Sequence, residues 1–177
     1  MKRIIREIIS TSIYILVILA VTYLVIHYVG QRTVVEGHSM MPTLMDGDSL
    51  IVDKITYRFT EPKRFDIVVF PYEHASHTYY IKRIIGMPGE KVYINDIGEI
   101  YINGNLMKED YGAEVILEPG RAANEIELGP DEYFVLGDNR NNSTDSRADD
   151  VGNIHRDRLI GRAILRVYPF SSFGTLR

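Results

Sequence analysis

Tyr79-Tyr80-Ile81-Lys82-Arg83-Ile84-Ile85 is a run of aromatic and β-branched residues interrupted by two cations. Such residues suit the pleated, half-buried surface of a sheet, so the run predicts a strand. Side chains alternate along a strand, which sets Lys82 on one face with Tyr80 and Ile84 and sends Arg83 to the other. Two readings of Lys82 stay open. If the strand is buried, the amine loses hydration of its charged form, its pKa falls, and the neutral amine becomes a general base. If the strand lies at an edge or rim, the side chain snorkels to water and does no chemistry.

Similar runs lie on both sides. Thr33-Val34-Val35, Leu50-Ile51-Val52 and Asp66-Ile67-Val68-Val69-Phe70 precede it, and Glu132–Leu136 and Arg158–Tyr168 follow. Between them, Lys91-Val92-Tyr93-Ile94 and Glu99-Ile100-Tyr101-Ile102, closed by the tight-turn dipeptide Asn103-Gly104, predict a small hairpin-like unit. The polar stretch from Met107 to Pro130 is weakly periodic and predicts an irregular connection. No repeat, heptad or amphipathic helix of ten or more residues follows the first thirty positions. The fold class expected is mostly β: an antiparallel sheet domain over 30–177, with its core in 30–85 and 132–177 and a small β insertion over about 86–131.

The amino-terminal segment is different. From Ile8 to Val29 the residues are apolar or small, apart from Ser10, Thr11, Ser12, Thr22 and His27. As helix, such a run spans about 33 Å, enough to cross a bilayer. Lys2, Arg3 and Arg6 outweigh Glu7 before it, which predicts a cytoplasmic N-terminus over 1–7, a single transmembrane signal-anchor over 8–29, and an extracytoplasmic domain at the plasma membrane. A cleaved secretory signal is the competing reading, but Val29-Gly30-Gln31-Arg32-Thr33 holds no A-x-A-like cleavage site. His27 sits where an amphipathic ring reaches the interface.

Composition narrows the chemistry. Among 177 residues the formal net charge is −4 and there is no cysteine. Disulfides, thiolate metal sites and a cysteine nucleophile are excluded, and nothing in the charge balance suggests a nucleic-acid partner. Gly37-His38-Ser39-Met40-Met41-Pro42-Thr43-Leu44 lies ten residues beyond the expected anchor. Gly37 permits unusual backbone angles and Pro42 stiffens the exit, so the turn can hold the Ser39 hydroxyl in one direction. Turns favour serine in any case, and a solvated turn serine is the plain alternative. His38 is adjacent in sequence and points away, whereas His74, His77 or His155 leave a Ser-His-Asp triad formally open. Gly137-Asp138-Asn139-Arg140-Asn141-Asn142-Ser143-Thr144-Asp145-Ser146-Arg147 is dense in groups that bond back on their own backbone, with Arg140 and Arg147 able to pair with Asp138, Asp145 or Asp149. A calcium loop would need an oxygen ligand where Arg140 stands.

These stretches, Ser39 to Leu44, Tyr80 to Arg83 continuing through Gly86-Met87-Pro88-Gly89-Glu90, and Gly137 to Arg147, resemble in residues and order the boxes of the type I signal peptidases, with a Gly86–Pro130 segment short for the family that suggests a compact, Gram-positive-like form. The resemblance runs from the anchor to Tyr168-Pro169-Phe170. It implies a membrane-bound serine endopeptidase with a Ser/Lys dyad, in which Ser39 attacks the scissile carbonyl and Lys82 removes its proton. Cofactor and metal are not needed. It further implies that Ser143 orients the Lys82 amine, that Asp145 and Arg147 brace the Ser143 loop, and that Met40 and Ile81 line a shallow pocket for small side chains. The implied partners are the lipid bilayer and secretory preproteins with small residues at the cut. Some members carry Ser or Thr at the place of Gly37, adding a hydroxyl to the oxyanion hole; here the Ser39 backbone N–H is the main donor. Three other readings are a Ser-His-Asp hydrolase, a Ser/Lys autoprotease that cuts only itself, and a non-catalytic membrane-tethered β module.

Overall fold

The computed structural model describes residues 2–24 and 30–176. One helix, α1 (Lys2–Leu24), opens the chain, and over Arg3–Tyr23 it is long and apolar enough to cross a membrane. It begins within the charged start, where Arg3 pairs with Glu7 one turn on at 3.1 Å. The part of the expected span over 25–29, with His27, lies outside the described residues.

Twelve strands follow among the described residues: β1 (Gly30–Val34), β2 (Ser49–Asp53), β3 (Ile67–Pro71), β4 (Tyr79–Gly86), β5 (Lys91–Ile94), β6 (Ile100–Ile102), β7 (Asn105–Leu106), β8 (Ile126–Glu127), β9 (Glu132–Leu136), β10 (Ile154–His155), β11 (Gly161–Tyr168) and β12 (Gly174–Thr175). Every pairing is antiparallel. The larger sheet runs β1-β2-β11-β3-β4-β9-β10, with β12 beside β11, and the smaller runs β7-β6-β5-β8. The mostly β architecture agrees with the sequence reading. Two details differ. β8 and a short 3-10 turn over Gly120–Ala123 lie within the stretch expected to be irregular. Arg156–Arg158 forms another such turn, so the last long strand starts at Gly161. The paired residues of β8 are two, too few for any periodicity to announce them.

Alternation along the strands sorts the apolar side chains into three clusters. Val68, Phe70, Ile84, Tyr133 and Val135 form one, with Tyr80 packed against it. Ile85, Val92, Ile94, Ile100, Leu128, Phe134 and Leu136 form the second and join the two sheets. Val35, Met40, Leu44, Leu50, Ile67 and Ala163 form the third, beneath the turn that carries Ser39. β4 therefore serves two clusters with successive residues, Ile84 and Ile85, because both of its faces are covered.

Close packing of the β2–β11 ladder gives a direct test. A Cβ on Gly161 would stand 2.3 Å from the Asp53 carbonyl oxygen, which is backbone and cannot swing aside. Overpacking of this kind costs about 1–3 kcal/mol, and at this size each kcal/mol lowers the melting temperature by about 2–4 °C. Gly161→Ala should lower the unfolding midpoint in a thermal melt by several degrees. Gly174→Ala, with no atom within 4 Å of the new Cβ, should leave it unchanged.

Candidate active site

Ser39 sits in a turn fixed at both ends. Val35 exchanges backbone hydrogen bonds with the Asp46–Asp48 segment: Val35 N–H donates to Asp48 O at 2.8 Å and Gly47 N–H donates to Val35 O at 2.9 Å. Gly37 takes φ +94°, a conformation that favours glycine, and its N–H donates to Asp46 Oδ1 at 2.8 Å. Met41 N–H closes onto His38 O and Leu44 N–H onto Met40 O. The Ser39 N–H donates to no group among the described residues and so is available to a ligand.

Lys82 enters from β4. Its Nζ donates to Ser39 Oγ at 2.7 Å and to Ile81 O at 3.1 Å, and the residue is 3 % exposed. The snorkelling reading therefore gives way to the buried one. Burial lowers the Lys82 pKa to about 8, against the upward pull of the Asp145 and Asp138 carboxylates. The Tyr80 ring covers the amine, 4.8 Å from Nζ to its centroid. None of the candidate histidines bonds Ser39 among the described residues. His74 packs edge-on to Tyr72, His77 lines the cleft wall, and His155 meets Glu132 at 3.3 Å.

The third element is the loop after β9. Asn139 N–H donates to Ser39 O at 3.0 Å, and Asn139 Nδ2 donates to His38 O at 3.1 Å. Gly137 N–H donates to Asp145 Oδ2 at 3.0 Å. Arg147 grips Asp145 with Nε at 2.8 Å and NH2 at 2.9 Å, and NH2 also holds Arg140 O at 2.6 Å. Asp145 and Arg147 thus lie as a two-point clamp within the loop that carries Ser143. Ser143 Oγ itself is buried without a hydrogen-bond partner among the described residues; the amine is turned to Ser39 and Ile81 instead.

The three segments enclose a cleft of about 550 Å³. Thr33 to Ser39 line one side, His77 to Lys82 the other, and Asn142 to Thr144 close one end, with Val69 below. Ile81 is on the wall. Met40, paired with it in the sequence reading, is not among the lining residues: it is 1 % exposed, its apolar side chain buried under the turn with Val35, Leu44 and Leu50. β4 pairs with β3 from Tyr79 to Arg83 but meets β9 from Arg83 onward, which leaves the Tyr79–Lys82 edge unpaired along the cleft among the described residues.

Sequence reasoning did not foresee several contacts that build this site. Arg83 and Asp138 form a fully buried pair, Nε to Oδ1 at 2.9 Å and NH2 to Oδ2 at 2.7 Å, and Thr43 Oγ1 donates to the same Asp138 Oδ2 at 2.5 Å. The expected partners of Asp138, Arg140 and Arg147, are engaged elsewhere, Arg140 with Glu109 at 2.8 Å. Gly137 is required by space: a Cβ there would lie 2.4 Å from Ser39 O and 2.2 Å from Ser143 Oγ. Gly137→Ala should leave a folded protein whose turnover of a cleavable peptide falls by about 100-fold, the effect expected when a reacting group moves by about 1 Å. Retained turnover in that assay would show that the contact is not part of the working geometry.

Comparison with known proteins places the chain in a family. Residues 5–168 match the family described as signal peptidase, peptidase S26. The chain is 40% identical over 167 residues to Signal peptidase I T of Bacillus subtilis (strain 168), covering 90% of this chain and 84% of that protein. It is 39% identical over 154 residues to Probable signal peptidase I-2 of Synechocystis sp., with 84% and 68% covered, and 34% identical to Signal peptidase IB of Staphylococcus aureus (strain COL), with 95% and 93% covered. A crystal structure of a signal peptidase I from Enterococcus faecalis V583 aligns at TM-score 0.48 and 35% identity, covering 58% of this chain and 97% of that one. The chain therefore belongs to the peptidase S26 family, the serine proteases that remove signal peptides from secretory preproteins.

Proposed function

We propose that Ser39 and Lys82 are the catalytic pair of this signal peptidase, with Ser39 the nucleophile and Lys82 the general base. The observation that carries this is the 2.7 Å contact between a buried amine of lowered pKa and a serine hydroxyl in a cleft. Neutral Lys82 Nζ takes the Ser39 proton as Oγ attacks the scissile carbonyl carbon, then returns it to the departing amine. Water, deprotonated by the same amine, releases the acyl group from Ser39. The uncommitted Ser39 N–H is the donor for the oxyanion, and Gly37 adds no hydroxyl beside it. Asp145 and Arg147 hold the loop, and Ser143 lies beside the dyad as a group that can take up the amine once Ser39 is acylated.

An extended segment around the cut is the substrate form that this cleft fits. The unpaired Tyr79–Lys82 edge offers backbone groups to a peptide strand, and Val34, Val35, Val69 and Ile81 around Ser39 suit small apolar side chains. An apolar helix on a signal peptidase makes it a membrane-anchored enzyme. Lys2, Arg3 and Arg6 favour a cytoplasmic start, which sets the cleft on the outer face of the plasma membrane, where inserted leaders share its surface.

The test is cleavage of a purified preprotein in detergent micelles. Wild type and His74→Ala should cut after the leader at similar rates, and folded Lys82→Met should be inert. A folded Lys82→Met that still turns over would move the base elsewhere. Two consequences of the lowered pKa accompany it. Initial rates should rise with pH through about 8 as Lys82 loses its proton, and an optimum near pH 5 would contradict a neutral base. The unfolded chain holds the Lys82 proton to higher pH than the folded one, so the strain of this site on stability is present below about 8 and is relieved as pH rises toward the unfolded value. At pH 7, Lys82→Met should therefore melt no lower than wild type.

A further inference from the structure

The stretch Glu109 to Arg121 connects β7 to β8 within the small sheet, yet its hydrogen bonds go to the loop beside the dyad. Ala113 N–H donates to Asp138 O at 2.9 Å, Leu117 N–H to Asn141 Oδ1 at 2.9 Å, and Arg121 N–H to Arg147 O at 3.0 Å. In return Asn141 Nδ2 donates to Glu114 Oε2 and Val115 O, and Arg147 NH1 to Glu118 O. Arg140, 3 % exposed, pairs with Glu109. So many bonds across one seam make the stretch a strap over residues 138–147.

At the strap's start, the Tyr111 ring lies flat on Arg83, 3.8 Å from Cζ to its centroid, with the Phe65 ring 4.9 Å away. The Arg83 guanidinium is thus held on its face by an aromatic ring and at its edge by Asp138 and the Phe65 carbonyl. Arg83 follows Lys82 directly, and Asp138 bonds Thr43 and precedes Asn139, whose N–H holds Ser39 O. Tyr111 also lines, with Phe65, an open cavity of about 610 Å³. We infer that Tyr111 is a positioning residue for the Ser39/Lys82 pair, acting through Arg83 and Asp138, and that the strap works to hold the catalytic segments in register. This rests on the dyad proposed above. Guanidinium stacking needs the ring face and not the hydroxyl, for which no bond is present among the described residues.

The experiment is steady-state cleavage of a preprotein by the full-length enzyme in micelles, with melting temperature measured in parallel. Tyr111→Phe keeps the ring and should keep kcat within about twofold of wild type. Tyr111→Leu and Tyr111→Met lose it and should lower kcat by about tenfold or more, with KM within about twofold, because the reacting atoms are displaced and the cleft wall is not. Should Tyr111→Leu not fold, the longer, flexible side chain of Tyr111→Met gives the same reading. Wild-type kcat in a folded ring-less variant, an increase confined to KM, or a Phe variant as poor as Leu would overturn the inference. Failure of the dyad itself would appear separately, as turnover by Lys82→Met.

Discussion

The buried pair of Arg83 and Asp138 is the constraint on which the site depends. Arg83 adjoins Lys82 on β4, Asp138 opens the loop after β9, and Thr43 in the turn that carries Ser39 bonds the same carboxylate. Three segments distant in sequence thus meet at two charges, both 0 % exposed. Charges so placed are held by geometry: bidentate contact satisfies the carboxylate, while a partner lost from such a pair leaves a buried charge uncompensated, at a cost of about 3–5 kcal/mol. The pair therefore tolerates little movement. Whatever it ties together, Ser39 included, inherits that rigidity.

Rigidity matters because the chemistry asks for a group in an unfavourable state. An amine at the end of a long side chain would prefer water and a proton. Here β4 is covered on both faces and Tyr80 lies over Nζ, so burial works against the charged form. Asp138 and Asp145 work in the opposite direction, and the balance leaves the pKa at about 8. The same two carboxylates that pull the value up are occupied by Arg83 and Arg147, which limits their hold on the lysine. Loop and strand thus set the protonation of the Lys82 amine as well as its position.

The small sheet takes part in this although it contributes no side chain to the cleft. It shares a cluster with the larger sheet through Ile85, Phe134 and Leu136, and its returning strap is bonded along the loop that carries Ser143. An insertion between β4 and β9 would otherwise separate the strand bearing Lys82 from the strand leading to Gly137. Packing brings them back as neighbours, with Arg83 beside Leu136 and Ile84 beside Val135.

Much was legible in the sequence. Strand runs such as Asp66–Phe70 and Tyr79–Ile85 carry a local signal, because β-branched and aromatic residues state their preference within a few positions. Lys82 and Ser39 could be marked as candidates, one by neighbours that call for burial and the other by a stiff turn, with a snorkelling lysine and a solvated turn serine left open beside them. Other features are decided between distant segments. That Asp138 answers Arg83 and not Arg140 or Arg147, that Ser143 Oγ stands unbonded while the amine turns to Ser39, and that Met40 lies under the turn rather than on the cleft wall depend on which surfaces come together. Gly137 is the clearest case: its φ is unremarkable, and glycine is needed because Ser39 and Ser143 press on it from either side. Periodicity and composition act over a few residues and could name the strands, while the pairing of Ser39 with Lys82 came from the resemblance of the three boxes. Charge pairing and close contact act here between residues 55 to 95 positions apart, so tertiary structure alone could decide how Ser39 and Lys82 are held.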